Sequence, residues 1–203
     1  MTDLGFPVQT LRRFVETLSA EIGQDTFSSV LSKAGLPRAW AKPEHFMDMN
    51  YQQAAEEYAR LQSALRTYYG RGARGILLRI GTKLWNVLLN DSSFGLKTQA
   101  SLIRGLPKSL RRKQALELLA RILGSKRGDV TVHTLDLDLL LVDQSSPTTL
   151  NQSDDAPICF VTLGLIRECL FWAVGEEHDI EERACHAAGA RQCEFKITIG
   201  GRA

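Results

Sequence analysis

The feature that most constrains this chain is a change in hydrophobic period at Val130. Before it, apolar residues recur at the spacing of amphipathic helices. From Val130 to Leu141 they alternate as in a half-buried strand, and a one-residue slip in that alternation predicts a β-bulge. Helices followed by strands indicate an α+β fold. We expect N-terminal helices on one side of a twisted antiparallel sheet that ends in a helix and a cysteine-containing β-hairpin.

Capping residues mark the helices of the first part. Asp25 is a candidate cap for the second helix, Asn50 is a good N-cap for the third, and Gly70 would stop that third helix. Gly81 permits a neighbour to approach the next helix closely. The stretch GRGARG at 70–75 follows a helix and lacks the Lys-Ser or Lys-Thr end of a phosphate-binding loop, so nucleotide binding is not expected there.

Length and composition favour a single domain over residues 1–203, with 1–48 as a helical extension and candidate dimer interface. The balance of 44% hydrophobic and 24% charged residues is ordinary for a globular protein. We expect a cytoplasmic protein, because the start lacks the apolar run of a secretory signal. Four cysteines are also too few for a disulfide scaffold.

A basic amphipathic helix is predicted within 108–127. The stretch 104–127 holds eight Lys or Arg residues, opposed only by Glu117, in a chain of net charge +2. Two interpretations stay open: a solvated helix face, or a surface that docks a partner protein or an anionic membrane. Nucleic acid is not an expected partner, because no aromatic residues interleave with the basic ones.

Three cysteines near the C-terminus are predicted to meet. Cys185 and Cys193 flank the turn of the last hairpin, and Cys159 begins the helix beneath it. With one carboxylate they would make the sulfur-rich tetrahedral site that zinc favours. Plain packing, or a disulfide between Cys185 and Cys193, is the alternative. Cys169 lies off the face of Cys159 on that helix and is assigned to the core.

Glu182 is the first candidate for a fourth metal ligand. Residues three apart on a regular strand point to opposite faces, so Glu182 and Cys185 converge only across a bulge or a strand end. Glu181 and His186 are therefore kept as alternative ligands.

The segment EERACHAAGARQCEF resembles the 4-vinyl reductase domain, whose signature is E-x-x-C, a glycine, and a second C followed by an apolar or aromatic residue. The matching residues are Glu182, Cys185, Gly189, Cys193 and Phe195. We assign 135–200 as the region of resemblance. The wider fold of that family is shared with small subunits of the transport protein particle and with nitric-oxide-sensing haem domains.

The resemblance implies a homodimer that encloses a pocket for a hydrophobic small molecule. It also implies a structural zinc ion held by Cys159, Glu182, Cys185 and Cys193, as in phenol-responsive regulators. Trp85, His133 and Trp172 are candidates to line the pocket, with plain core as the alternative for each.

Three functions follow from the resemblance. The leading hypothesis is a ligand-binding accessory protein that handles a tetrapyrrole in (bacterio)chlorophyll biosynthesis, with haem as a further candidate ligand. The second is a ligand-sensing or scaffold subunit that docks a partner or membrane. The third, a 4-vinyl reductase, would need an external reductant, because the chain has no dinucleotide, flavin or iron-sulfur motif. No catalytic residue is predicted.

Overall fold

Helices form most of the chain in the computed structural model, which describes residues 6–42, 45, 49–124, 126 and 128–199. The α-helices are α1 (Val8–Ile22), α2 (Gln24–Lys33), α3 (Tyr51–Tyr69), α4 (Ala73–Asp91), α5 (Phe94–Gly105), α6 (Lys108–Leu123) and α7 (Phe160–Val174). The strands are β1 (Val130–Leu135), β2 (Asp138–Asp143), β3 (Asp179–Ala184) and β4 (Cys193–Thr198). Short 3-10 turns occupy Arg38–Ala41, Gly70–Gly72, Pro147–Thr149 and His186–Ala188.

The strands form one antiparallel sheet in the order β1-β2-β4-β3. One face carries the fully buried side chains of Leu141, Phe195 and Ile197, which join the helical core. On the other face Arg183 forms an ion pair with Glu194. The α+β prediction, with helices on one side of the sheet, is confirmed.

Local capping explains where the helices begin and end. The Asn50 side chain accepts a hydrogen bond from the Gln53 backbone while the Gln53 side chain accepts one from the Asn50 backbone, which forms a capping box. Gly70 ends α3 with φ of 54°, as predicted. The predicted cap of α2 was wrong: Gly23 occupies that position with φ of 80°, and Asp25 lies within the first turn, where its carboxylate faces the positive end of the helix.

The segment that begins at Val130 is a hairpin rather than one bulged strand, so the prediction of a bulge there was wrong. Leu135 pairs directly with Asp138, and the chain reverses through Asp136 and Leu137. Asp136 has φ of 52°, a left-handed conformation that aspartate tolerates better than most residues. The slip in the alternation is this turn.

The N-terminal helices share the main core. Leu11, Phe14 and Leu18 of α1 are fully buried in the same cluster as the apolar residues of α3, α4 and α7. The predicted dimer interface within 1–48 stays a prediction, and residues 1–5, 43, 44 and 46–48 of that extension lie outside the described residues. Within the described chain, no helix combines the length and apolar character needed to cross a bilayer.

Helices α4 and α7 cross at two glycines. A β-carbon placed on Gly81 would overlap the carbonyl oxygen of Val161, and one placed on Gly164 would overlap the carbonyl oxygen of Leu78. The predicted close approach at Gly81 is therefore present, and its partner is the first half of α7.

Gly81→Ala should destabilise the fold by about 1–3 kcal/mol, because the added methyl group forces the two helices apart. Chemical denaturation followed by circular dichroism measures this change. The matched control is Gly75→Ala on the same helix, where an added β-carbon would meet only the end of the Arg79 side chain at 3.7 Å. It should be neutral or stabilising by up to about 1 kcal/mol. Equal effects of the two variants would contradict a tight crossing.

Candidate metal centre and neighbouring cavity

Three cysteines and one glutamate converge beneath the last hairpin. Cys159 immediately precedes α7, Cys185 follows β3, and Cys193 opens β4. The Cys159 sulfur lies 3.6 Å from that of Cys193 and 4.0 Å from that of Cys185. One carboxylate oxygen of Glu182 completes a set of four atoms that all lie within 4.8 Å of one another. The structure thus brings together the four residues selected from the sequence.

A bulge in β3 allows Glu182 to join this cluster. Glu182 pairs with Phe195 and Ala184 pairs with Glu194, so Arg183 is an extra residue in the strand. The extra residue shifts the alternation, and Glu182 and Cys185 both turn inward although they are three positions apart. The bulge meets the geometric condition that the sequence imposed on this pair.

The cluster is closed to solvent. Its four residues are at most 6% exposed. One oxygen of Glu182, Oε2, accepts a hydrogen bond of 2.9 Å from the Cys159 backbone. The other, Oε1, is buried and has no hydrogen-bond partner among the described residues. A carboxylate held by one oxygen, with the second aimed at three sulfurs, lacks a positively charged partner.

Electrostatics within the cluster restrict how many groups can ionise together. Burial raises the pKa of Glu182 to about 8. The pKa of Cys159 is raised by its hydrogen bonds to Cys185 and Cys193 and by burial, whereas hydrogen bonds from those two neighbours lower the pKa of Cys185. The cluster by itself therefore favours a single thiolate. A divalent cation would reverse this preference, because thiolates and carboxylates are its ligands.

The donor set fits zinc. With bonds of about 2.3 Å to a tetrahedral zinc ion, two sulfurs lie about 3.8 Å apart. The two sulfur separations of Cys159 lie on either side of that value. Three sulfurs and one oxygen at this spacing match a structural zinc site without rearrangement of the backbone.

The alternative ligands lie elsewhere. Glu181 and His186 are exposed, and the four-residue cluster includes neither of them. Cys169 is buried in the core, where its thiol donates to the Ala115 carbonyl at 3.2 Å. All four cysteines are free thiols, so the disulfide alternative is not present.

The three candidate pocket residues do not line a common pocket. Trp85 is fully buried and packs edge-on against Trp172, with ring centroids 5.6 Å apart. Trp172 also lies beneath the guanidinium of Arg104 at 5.1 Å. His133 is exposed on β1 and bonds to Thr131. The plain-core alternative describes Trp85, while His133 is a surface residue.

A small enclosed cavity of about 30 Å³ lies between the N-terminal helices and the end of β2. Its lining residues are Phe6, Thr10, Tyr58, Leu84, Leu123, Val130, Asp143, Ser145, Pro147, Thr162 and Leu165. Asp143 is 5% exposed, and burial raises its pKa to about 6. Its Oδ1 accepts a hydrogen bond from the Ser145 backbone, and no ion pair involves it among the described residues. The cavity therefore offers an unneutralised acceptor in an apolar wall.

The basic helix is partly engaged in internal contacts. Lys108 and Arg112 of α6 both form ion pairs with Glu176, which follows α7. Arg112 also donates to His178 at 2.9 Å. These contacts join α6 to the segment that leads into β3, so docking through this helix stays a prediction that rests on its other basic residues. Arg127 lies outside the described residues.

The family model of the 4-vinyl reductase domain matches residues 144–199, which we name the C-terminal segment. These residues contain the entire cluster, from Cys159 to Cys193. The C-terminal segment is a 4-vinyl reductase domain. The resemblance drawn from the cysteine signature is thereby confirmed for this segment. No curated protein matches the chain at a significant level.

Solved structures share the fold around the C-terminal segment. The phenol-responsive sensory domain of the transcription activator PoxR, solved with phenol, is 16% identical with a TM-score of 0.50, over 70% of this chain and 72% of that one. An H-NOX protein from S. oneidensis, in the Fe(II)NO ligation state, is 13% identical with a TM-score of 0.55, over 95% and 99%. A trafficking protein particle complex subunit 3 from Naegleria fowleri, covalently bound to palmitic acid, is 17% identical with a TM-score of 0.50, over 72% and 92%. At these identities the likeness establishes the fold alone.

Buried cysteines react slowly, so no thiol of the folded chain should react with an aromatic disulfide reagent at the rate of free cysteine. EDTA in the assay removes any protection by metal. After unfolding in guanidinium, four thiols should react, and three in a Cys169→Ser control. One fast-reacting thiol in the folded protein would contradict the burial of the cluster.

Proposed function

We propose that this chain is a small-molecule-sensing module whose last hairpin is fixed by a structural zinc ion. Cys159, Glu182, Cys185 and Cys193 would hold the metal, and the cavity beside Tyr58 and Asp143 would receive the ligand. The observation that carries the proposal is the convergence of four buried ligand atoms within 4.8 Å.

A structural role for the metal follows from the donor set. Four protein ligands close a tetrahedral site and leave no position for water or substrate, whereas catalytic zinc sites keep one position open. Bound metal would supply positive charge and a cross-link between α7 and the hairpin. The chain's own residues set the geometry: the Cys159 backbone orients the Glu182 carboxylate, and the His186 backbone donates to the Cys193 sulfur at 3.4 Å.

The sensing part of the proposal rests on the family match of the C-terminal segment and on the cavity. Three proteins of the same fold were solved with phenol, with an iron nitrosyl centre and with palmitic acid. The present cavity of about 30 Å³ has room for water-sized molecules, whereas a cavity of about 150 Å³ accepts benzene. We therefore propose a small apolar ligand with one hydrogen-bond donor, which enters as the lining side chains move.

A tetrapyrrole, as expected from the family resemblance, is a larger candidate ligand. The closed cavity has no room for a macrocycle, and none of the four histidines lines it to serve as an axial ligand. Pigment handling in (bacterio)chlorophyll biosynthesis, a homodimer and a cytoplasmic location stay predictions. A visible absorption band on freshly purified protein would favour the pigment over the small ligand.

Purified protein should contain one zinc ion per chain, measured by elemental analysis. Cys193→Ser should lower both zinc content and thermal stability, because one thiolate ligand is lost. Cys169→Ser is the matched control, since its thiol bonds only within the core, and it should keep full zinc content. The metal proposal fails if the protein folds with the same stability in zinc and in chelator and retains no metal.

Ligand binding in the cavity should depend on the size of residue 84. With phenol as the probe, Leu84→Ala should tighten binding by enlarging the cavity, and Leu84→Phe should weaken it by filling the cavity, as followed by methyl NMR of Leu165. Leu89→Ala, on the same helix but outside the cavity lining, should leave phenol affinity unchanged. Opposite shifts for the two Leu84 variants are required. Phenol binding that is insensitive to both would place the ligand elsewhere.

A further inference from the structure

Arg66 of α3 is a buried cation beside the C-terminal segment. Its side chain is 17% exposed. Nη2 donates to the Gln152 side chain at 3.1 Å, and Nε lies 3.9 Å from a carboxylate oxygen of Asp154. The third nitrogen, Nη1, is buried and has no hydrogen-bond partner among the described residues. A guanidinium rarely leaves a donor unpaired at this depth without an anion to compensate.

The partners of Arg66 lie against the hairpin that carries the cluster. The backbone of Asp154 donates to the Ala187 carbonyl at 2.9 Å. Ala187 lies two positions beyond Cys185, within the turn that joins β3 to β4. Arg66 is therefore fixed between α3 and the residues that surround Cys159 and Cys185.

The charge of a loaded cluster explains what this cation could do. A divalent metal with three thiolates and one carboxylate carries a net charge of roughly −2. Such a charge is costly in a closed site unless a cation lies nearby. Burial lowers the pKa of Arg66, while the charges of Asp154, Cys159 and Cys185 act in the opposite direction. The guanidinium thus lies within electrostatic reach of two cluster thiols.

Other cations near the hairpin face away from the cluster. Arg183 forms its ion pair with Glu194 on the outer face of the sheet. His186 is exposed. Asp154, which lies beside Arg66, is 39% exposed on its side chain, so solvent partly screens its charge. Arg66 is the buried cation that these contacts direct toward the cluster.

We propose that Arg66 is a positioning residue for the metal centre, whose positive charge offsets the net negative charge of the loaded Cys159–Glu182–Cys185–Cys193 cluster. This inference rests on the proposed metal site. It places part of the metal affinity on α3, outside the C-terminal segment that matches the family model.

The test measures zinc affinity of the full-length chain by competition with a chromophoric chelator. Arg66→Gln should weaken binding by about 10–100-fold, the usual effect of losing a partner outside the ligand set. Arg66→Lys should restore most of the affinity, because it keeps the charge. Asp154→Asn should leave affinity unchanged or raise it, because it removes a competing anion. Arg60→Gln, which removes an exposed arginine of the same helix, is the matched control.

Each outcome bears on the charge. Wild-type affinity in Arg66→Gln overturns the proposal. If Arg66→Lys is as weak as Arg66→Gln, or if Asp154→Asn weakens binding equally, Arg66 tethers the loop and its charge is not the cause, which also overturns it. If Arg66→Gln fails to fold by circular dichroism, the Lys and Asn variants still decide between charge and tether. Absence of zinc binding in the wild-type chain would instead overturn the metal site itself.

Discussion

Helices can cross as closely as α4 and α7 do only where neither carries a side chain at the contact. Gly81 and Gly164 satisfy this condition, and each lies against the backbone of the opposite helix. The contact falls in the first half of α7, close to Cys159. The backbone that presents this thiol to the hairpin is thus held by a contact outside the cluster. Strain at the crossing would therefore reach the candidate metal centre directly.

The fold was predictable wherever a local signal had a single physical meaning. Asn50 before an apolar helical run admits one interpretation, and so does Gly70 after it. The error at Val130 arose because a slip in alternation has two causes, a bulge and a turn. A turn through Asp136 and Leu137 is short and contains no glycine or proline, so the residue types did not distinguish the two.

The cluster was predictable and the cavity was not, for related reasons. Cysteines at a hairpin turn have few roles, and the signature around Glu182 restricted them further. Tryptophan supplies only apolar area, so nothing in the sequence showed that Trp85 would face the core. Asp143 closes an apolar strand, where a carboxylate usually marks a solvated end. Only the packing of distant helices buries it, and packing leaves no local pattern.

The cavity and the cluster meet at the end of β2. Asp143 pairs with Cys193 across the strands, and the Ser146 hydroxyl lies 3.7 Å from the Cys159 sulfur while it also bonds to Asp143. A carboxylate can orient a ligand only if its own position is fixed. In the proposed function, metal that joins Cys159 to Cys193 would fix the strand pair that carries Asp143. The structural site and the sensing site would then act as one unit, because loosening the hairpin would open both.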